Sequence, residues 1–190
     1  MKTKAVIAAL GLASAALALP AAAQMSMSAV YLGGGIGQSK FKADCGGGFS
    51  CDKNDTSFRG FVGYQFTRNI ALEGGYTDLG KLKVSGFGIS GDVGVTAWDL
   101  SGVFSWPIEQ FGVFGRLGIA SVKAKPGGAF SGAGDQTKSG LTGGLGVSYD
   151  LNKNLGFRGE WQRFKADSGS NLGGEGDVDN FMLSALWRFQ

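Results

Sequence analysis

The sequence predicts an all-β fold, an eight-stranded antiparallel up-and-down transmembrane β-barrel, from three observations. Apolar and polar residues alternate along eight segments, as in strands that present successive side chains to opposite faces. Glycine supplies 35 of the 190 residues, beside 3 prolines and 14 phenylalanines, which suits a twisted closed sheet better than collagen or a disordered chain. The connections alternate between short and long, as they do in outer-membrane barrels.

The N-terminus has the three-part layout of a secretory signal peptide. A short basic start precedes an uncharged run of small and apolar residues over 5–19, and Ala21 to Ala23 supply a cleavage site. This run is shorter than the stretch of about 20 residues that a transmembrane helix needs. We therefore expect residues 1–23 to be a signal peptide and residues 24–190 to form one outer-membrane barrel domain.

The first four predicted strands cover residues 29–40, 57–66, 70–78 and 93–106. Each has one apolar face whose members fall on alternate positions, while polar or small residues occupy the other face. The apolar faces are, in chain order, Val30, Leu32 and Ile36; Phe58, Val62, Tyr64 and Phe66; Ile70, Leu72 and Tyr76; and Trp98, Leu100, Phe104 and Trp106.

The last four predicted strands cover residues 111–122, 139–151, 155–164 and 178–189. The final strand shows the alternation most clearly, and an outer-membrane barrel turns such an apolar face toward lipid. We therefore expect five residues of this closing strand to face lipid: Phe181, Leu183, Ala185, Trp187 and Phe189. The other three apolar faces are Val113, Leu117 and Ile119; Leu141, Leu145, Val147 and Tyr149; and Leu155, Phe157 and Trp161.

The connections predict the orientation of the barrel. Long segments rich in Gly, Asp, Lys and Ser follow every other strand, and we expect them to be four extracellular loops. They cover residues 41–56, 79–92, 123–138 and 165–177. The short turns mark the periplasmic end, where a girdle of aromatic residues is expected. Its members are Tyr64, Phe66, Trp106, Phe111, Tyr149, Trp187 and Phe189.

The polar face carries four positive and four negative charges. In a membrane barrel this face lines the lumen, and eight strands leave an interior that side chains just fill. Buried charges must be paired, so the balance of signs predicts a lumen charge network. Its residues are Arg59, Glu73, Asp99, Arg116, Asp150, Arg158, Glu160 and Arg188. Structural filling is the favoured interpretation, and a gated ion path or an acid–base site is the functional alternative.

The composition excludes several kinds of chemistry. The chain has no histidine, so it lacks the commonest general base and metal ligand, and we expect no catalytic site, metal or cofactor. Cys45 and Cys51 enclose a glycine-rich spacer in an exported chain and are expected to form a disulfide. The net charge is +3, and the basic residues are scattered rather than arranged in the stripe that nucleic-acid binding requires.

Four segments resemble OmpA-like transmembrane β-barrel proteins. They are GYQFTRNIALEGGYTDLG at 63–80, AWDLS at 97–101, FRGEWQRF at 157–164 and LWRF at 186–189, and the resemblance extends over nearly the whole mature chain. It implies a barrel in the outer membrane of a Gram-negative bacterium, reached after export to the periplasm. It also implies interior charged residues like those at Arg59, Glu73, Arg116, Arg158 and Glu160.

The same resemblance identifies a short OmpX-like or opacity-type protein without a peptidoglycan-binding domain. Members of the family usually end in Phe, which the barrel-assembly machinery reads, whereas Gln190 follows Phe189 here. The chain is expected to depend on that machinery for insertion. Separately, it is expected to be a monomer.

The leading functional interpretation is a non-enzymatic outer-membrane barrel that serves envelope integrity or surface interaction through its four extracellular loops. The alternative is a narrow channel for ions or small solutes. Outer-membrane lipid is an expected partner. Lipopolysaccharide is another, because basic residues near the outer rim can meet its phosphates. These residues are Lys81, Lys83, Lys123, Lys125, Arg163 and Lys165. The sequence does not identify an extracellular ligand.

Overall fold

The computed structural model describes residues 29–42, 50–52, 54–86, 89–128, 134–165 and 177–189. The predicted signal peptide and Cys45 lie outside these residues, so the signal peptide and the disulfide stay predictions. No helix in the described ranges is long and apolar enough to cross a membrane. The strands are β1 (Ala29–Phe41), β2 (Ser50–Asp52), β3 (Asn54–Gln65), β4 (Ile70–Gly86), β5 (Ile89–Ile108), β6 (Phe111–Gly128), β7 (Gln136–Asp150), β8 (Leu155–Phe164) and β9 (Val178–Phe189).

Eight of these strands close into one antiparallel barrel, which confirms the predicted fold. Each long strand pairs with the next along the chain, and β9 returns to pair with β1. The short strand β2 stands outside the ring and pairs with β4 alone. Following paired residues once around the barrel from Val30 leads to Lys40 on the same strand, a stagger of ten residues (40 − 30). For eight strands this corresponds to a tilt of about 40°.

The polarity of the barrel is inverted relative to a soluble protein. Large apolar side chains cover the outside, where Trp98 is 65% and Leu183 is 72% exposed. The buried residues include Arg59, Glu73 and Arg116, whose side chains point into the lumen. An apolar outer surface of this kind fits a lipid environment, in which every backbone polar group must be satisfied within the closed sheet.

The apolar outer residues form a continuous belt. On β9 the belt consists of Phe181, Leu183, Ala185, Trp187 and Phe189, all of which are exposed. At the tilt of the strands these nine positions span roughly 20–25 Å along the barrel axis, which matches the apolar band of outer-membrane barrels. Aromatic pairs mark the end with the short turns. The ring centroids of Tyr64 and Phe66 are 4.9 Å apart, as are those of Phe111 and Tyr149.

The predicted loop over residues 79–92 is wrong, because strand covers almost all of it. β4 continues to Gly86 and β5 begins at Ile89. A bulge between Asp78 and Lys81 shifts the register, and Gly80 adopts a positive φ of 79° within it. The Lys81 backbone N–H donates to Asp55 at 2.7 Å and fastens the bulge. The alternation therefore changes phase here, which hides the second half of the strand from a period-two pattern.

Two other predicted loops are also shorter than expected. β6 runs to Gly128 and β7 begins at Gln136, so both strands enter the predicted loop over residues 123–138. The predicted loop over residues 41–56 contains β2 and the first residues of β3. Proline and glycine in these segments favour turns locally, and lysine is depleted in strands, but cross-strand pairing holds the segments in the sheet.

One side of the barrel rises higher than the other. The three strands β4, β5 and β6 have 17, 20 and 18 residues, whereas β8 and β9 have 10 and 12. The surplus length of β4, β5 and β6 projects at the end with the long loops, beyond the apolar belt. We call this projection the wall; it comprises residues 81–86, 89–95 and 123–128.

Large interior side chains lie opposite glycines on the neighbouring strand. Tyr31 pairs with Gly63 in register, and Phe114 pairs with Gly146. A Cβ atom at Gly63 would overlap the Tyr31 ring, whereas a Cβ atom at Gly60, on the outer face, meets nothing within 4 Å. The glycine content therefore has a steric cause, because the closed interior has room for a large side chain only where its neighbour has none.

The outer face supplies the first testable prediction. Leu183→Arg puts a charge in lipid, two residues from the centre of the β9 belt, and should lower the free energy of unfolding by roughly 2–4 kcal/mol. Ser139→Arg is the matched control, because Ser139 is exposed on the outer face beyond the belt, where the same charge should cost less than about 1 kcal/mol. Urea titration of the barrel in lipid vesicles measures both, and equal costs would contradict the assigned lipid face.

A second prediction concerns the register pair of Gly63 and Tyr31. Gly63→Ala should destabilise the barrel by about 1–3 kcal/mol through overpacking against Tyr31, while Gly60→Ala should leave stability nearly unchanged. Tyr31→Ala removes the clash, so the double variant should be less destabilised than the sum of the two single variants. Additive losses in the same urea titration would show that Gly63 is needed for another reason.

Candidate functional site

The interior of the barrel is arranged in layers along its axis. Along β8, from the short-turn end upward, the inward residues are Arg158, Glu160, Gln162 and Phe164, so charge gives way to a neutral polar group and then to an aromatic ring. The same order appears on β4, from Glu73 through Thr77 to Leu79. The charged layer contains most of the site residues that the sequence predicts.

Glu73 is the centre of the charged layer. Its carboxylate accepts hydrogen bonds from Arg116, from Arg158 Nη1 at 2.7 Å and from Arg59 Nη2 at 3.3 Å. The Tyr31 hydroxyl donates to Oε2 of the same carboxylate at 3.0 Å. Four residues from four different strands thus converge on one buried side chain.

Asp99 holds Arg59 from the other side. Nη1 and Nη2 of Arg59 donate to the two Asp99 oxygens at 2.6 and 3.1 Å, in the bidentate arrangement that gives the strongest carboxylate contacts. Arg59 Nη1 also donates to Thr77 Oγ1 at 2.9 Å, and the Ser101 hydroxyl donates to Asp99 at 3.1 Å. The orientation of the guanidinium is therefore fixed.

Glu160 completes the charge balance. Arg116 Nη1 lies 3.3 Å from Glu160 and donates to Gln162 Oε1 at 3.2 Å, and Gln162 Nε2 donates to Thr142 at 2.9 Å. The cluster contains three arginines and three carboxylates, so it is neutral as a whole. We call it the ion cluster; it consists of Arg59, Glu73, Asp99, Arg116, Arg158 and Glu160.

An aromatic layer lies below the ion cluster. The Arg158 guanidinium carbon is 5.1 Å from the ring centroids of Tyr31 and Phe114 and 5.6 Å from that of Phe61, distances at which cation–π attraction operates. These rings pack with Ala71, Val103 and Leu186 in one buried cluster. The layer separates the ion cluster from the short-turn end of the lumen, except at Arg158, which also lines the cavity at that end.

A second apolar layer lies above the ion cluster. A neutral polar step comes first, in which the Ser57 hydroxyl donates to Asn180 at 2.6 Å. Beyond this step a buried hydrophobic cluster fills the lumen toward the long loops. It consists of Phe41, Leu79, Val95, Ala97, Ala120, Val122, Phe164 and Val178. Five of the six ion-cluster residues are thus enclosed between apolar side chains on both sides, and Arg158 lines the cavity at the short-turn end.

The structure separates two of the eight predicted lumen residues from the others. Arg188 Nη2 lies 2.8 Å from Asp150 Oδ1, and their side chains are 15% and 43% exposed. This pair lines a vestibule of about 450 Å³ that opens at the short-turn end and ends at Tyr31, Phe114 and Arg158. The predicted network is therefore a six-residue buried cluster and a solvated pair at the mouth.

Sequence reasoning missed the three aromatic residues that close the lumen below. Their positions carried a signal, because Phe61 and Phe114 share strand parity with Arg59 and Arg116, and Tyr31 alternates with the outward Val30 and Leu32. A second signal was the glycine in register with each ring, since Gly33 pairs with Phe61.

The arrangement does not resemble a catalytic centre. Glu73 already accepts hydrogen bonds from three arginines and a tyrosine, and the three carboxylates of the ion cluster are buried. Among the described residues, no group of three or more His, Cys, Asp or Glu side chains could hold a metal ion. The geometry suits a structural role, in which paired charges fill a confined interior.

The ion cluster supplies the third prediction. Glu73→Gln leaves three buried guanidinium groups short of a negative partner and should lower the free energy of unfolding by about 3–5 kcal/mol. Asp150→Asn breaks the solvated pair with Arg188 and should cost no more than about 1 kcal/mol. Both are measured by urea unfolding of the refolded barrel, and comparable losses in the two variants would argue against the separation of cluster and pair.

Comparison with known proteins agrees with this architecture. The family model for the outer membrane protein beta-barrel domain matches residues 8–189. No curated protein sequence matches the chain.

Solved barrels resemble it over most of its length. Ail, the attachment invasion locus protein of Yersinia pestis, is 23% identical with a TM-score of 0.60, over 87% of this chain and 100% of Ail. OprG from Pseudomonas aeruginosa is 18% identical with a TM-score of 0.61, over 87% and 97%. Neisserial surface protein A is 16% identical with a TM-score of 0.60, over 84% and 97%. At these identities the likeness concerns the fold. From the family match and this fold, the chain belongs to the family of outer membrane protein beta-barrel domains and is a protein of the Gram-negative outer membrane.

Proposed function

We propose that this protein is a non-enzymatic, non-conducting outer-membrane barrel that presents its extracellular side for surface interaction or envelope integrity. The observation that carries the proposal is the enclosure of the ion cluster between two apolar layers. Ion conduction needs a continuous wet path, and the aromatic layer and the upper apolar layer both interrupt it. The lumen then serves as the packed core of a rigid scaffold.

A narrow channel is the second candidate. The vestibule favours it, because this cavity of about 450 Å³ brings solvent as far as Arg158. A path would then have to pass Glu73 and Arg116, which hydrogen bond to each other, and open the upper layer around Phe41 and Phe164. Two apolar layers and the ion cluster would have to rearrange together.

The proposed surface role rests on the extracellular end. The wall projects there beyond the belt, and binding residues in general concentrate on loops held by a rigid scaffold. The similar barrel Ail is known in complex with the heparin analogue sucrose octasulfate. We extend to this chain the general role of binding at the cell surface, through its wall and extracellular loops.

Outward lysines above the apolar belt support lipopolysaccharide as a partner. We call them the basic collar: Lys40, Lys42, Lys81, Lys83, Lys123, Lys125 and Lys165. Asp92 lies 3.0 Å from Lys81 Nζ, and its hydrogen bond raises the pKa of Lys81, which keeps that lysine charged. Ammonium groups at this height would meet the phosphates of the outer leaflet.

The proposal includes the biogenesis that the sequence predicts. Export would be directed by residues 1–23, and insertion would use the barrel-assembly machinery, with Phe189 as the terminal aromatic residue. Cys45 and Cys51 would form a disulfide in the oxidising periplasm.

Conductance in planar bilayers tests the proposed function. The refolded wild-type barrel should give no unitary steps above the baseline, under conditions in which a porin in the same bilayers gives clear steps. Neutralising Glu73 and Arg116 together, as E73Q/R116Q, should reduce stability and leave the baseline conductance unchanged. If the wild type gives unitary steps and the double variant alters them, the protein is a channel and not a non-conducting scaffold.

A further inference from the structure

We propose that the outer face formed by β8, β9 and β1 holds one phosphorylated glycolipid of the outer leaflet, the lipopolysaccharide molecule itself. The proposal rests on the basic collar as a lipopolysaccharide contact and names a place on it, among the described residues, that is built as a site. Two separate features meet there. The first is a polar notch in the upper edge of the apolar belt, formed by Lys40, Lys42, Arg163, Lys165 and Asp179. The second is an apolar groove below this notch.

The notch begins with an ion pair on the outer face. Arg163 and Asp179 are register partners on β8 and β9, and Nε and Nη2 of Arg163 donate to the two Asp179 oxygens at 2.6 and 2.9 Å. On the neighbouring strand β7, Leu141 lies two positions beyond Gly143, the register partner of Arg163, and is still apolar and exposed. The polar surface therefore starts lower on β8 than on β7.

The notch is rigid. The Arg163 guanidinium carbon lies 5.1 Å from the ring centroid of Trp161, and its side chain is 31% exposed. Asp179 is 11% exposed and also receives Lys42 Nζ at 3.6 Å. Arg163 is thereby held from two sides at the boundary between the belt and the headgroup region, as amphipathic side chains are in general at membrane interfaces.

The notch carries surplus positive charge. Lys40 is the register partner of Asp179 on β1, and the Lys42 backbone N–H donates to the Asp177 carbonyl one step further up. Lys165 follows Arg163 on β8 and is exposed. Within the described ranges, this part of the rim has four cations and the two carboxylates of Asp177 and Asp179. The remaining charge favours a phosphate that Lys40, Lys42 and Lys165 reach together.

An apolar groove runs below the notch. Its volume is about 510 Å³, and it is lined on the outer face by Ile36, Gln38, Gly159, Phe181 and Leu183. Gly159 leaves its floor bare, because a Cβ atom there would meet only Leu183 and Val147 at ordinary contact distances of 3.5 and 3.8 Å. An acyl chain that descends from a headgroup in the notch would lie along this groove.

The cationic notch and the apolar groove together indicate the kind of ligand. A soluble polyanion has no apolar part to occupy the groove, and a zwitterionic phospholipid has no net negative charge to balance the surplus of cations. A phosphorylated glycolipid supplies phosphates at the height of the lysines and acyl chains directly beneath them. In the Gram-negative outer leaflet this chemistry is that of lipopolysaccharide.

The test uses the full-length barrel purified in mild detergent with added lipopolysaccharide. Native mass spectrometry should show one lipid retained per wild-type barrel. K40Q/K165Q removes charge from the notch, and Gly159→Leu fills the groove; each should lower the retained fraction at least about fivefold. Arg163 is left intact, so the ion pair with Asp179 persists in both variants. Heat-modifiable migration on unboiled gels establishes that each variant is folded.

Matched controls lie on the opposite side of the barrel. K123Q/K125Q removes two lysines of the basic collar away from the site, and Gly74→Leu fills another outward glycine position, whose Cβ atom would have no neighbour closer than 3.9 Å. Both should retain lipid as the wild type does. Equal losses in K40Q/K165Q and K123Q/K125Q would leave the collar as a diffuse contact and overturn the site.

Three further results would overturn the proposal. They are no lipid retained by the wild type, equal retention of lipopolysaccharide whose phosphates have been removed, and full competition by phosphatidylglycerol. None of these results bears on conductance. Failure of the site and failure of the non-conducting scaffold are therefore distinguishable.

Discussion

The rest of the structure depends on the pairing of β9 with β1. Lipid offers no hydrogen-bond partner to an open strand edge, so the sheet has to close on itself, and it does so along the register from Val30 and Phe189 to Phe41 and Val178. Eight strands with a stagger of ten residues then fix the width of the lumen. Side chains must fill that width without strain, which explains why Tyr31 lies opposite Gly63 and Phe114 lies opposite Gly146. Closure thus comes first, and the glycine content follows from it.

The ion cluster follows from the same confinement. Charges in a lumen without free solvent are tolerated only as partners, and three guanidinium groups around Glu73 satisfy this condition with a net charge of zero. A buried ion pair is weak evidence for stability, but removal of one partner is costly. The cluster therefore ties β3, β4, β5, β6 and β8 together at a single height. A lumen organised in this way is a packed core, and the proposed role of the protein lies in what the outer surface and the extracellular end can bind.

The sequence was sufficient for the architecture because alternation and loop length are local signals. The eight long strands and the outward faces, including all five belt residues of β9, follow from period two and from the inversion that a lipid environment imposes. The bulge at Gly80 was not predictable in this way, because Asp55 on another strand fastens it. The division between the ion cluster and the Asp150–Arg188 pair was also hidden. It depends on height along the axis, which the stagger sets and the sequence of one strand does not reveal. The inward orientation of the buried residues Tyr31, Phe61 and Phe114 could be predicted from their alternate positions along each strand. However, an aromatic residue in a membrane barrel is expected first on the outside.

The two sides of the rim at the end with the long loops have different consequences for binding. On the side of β4, β5 and β6 the wall rises above the belt, and Lys81 and Lys123 are matched by Asp92 and Asp135 at 3.0 and 2.9 Å. On the side of β8, β9 and β1 the strands end early, so the polar surface begins at the height where lipid headgroups start. The low side can therefore engage a membrane lipid without obstruction, while the wall extends further from the apolar belt. If one surface of this barrel is fixed to the leaflet, the wall is the part left free to meet a partner in the medium. With the proposed lipid site, the asymmetry of strand length would divide the rim into a lipid-facing and a solvent-facing half.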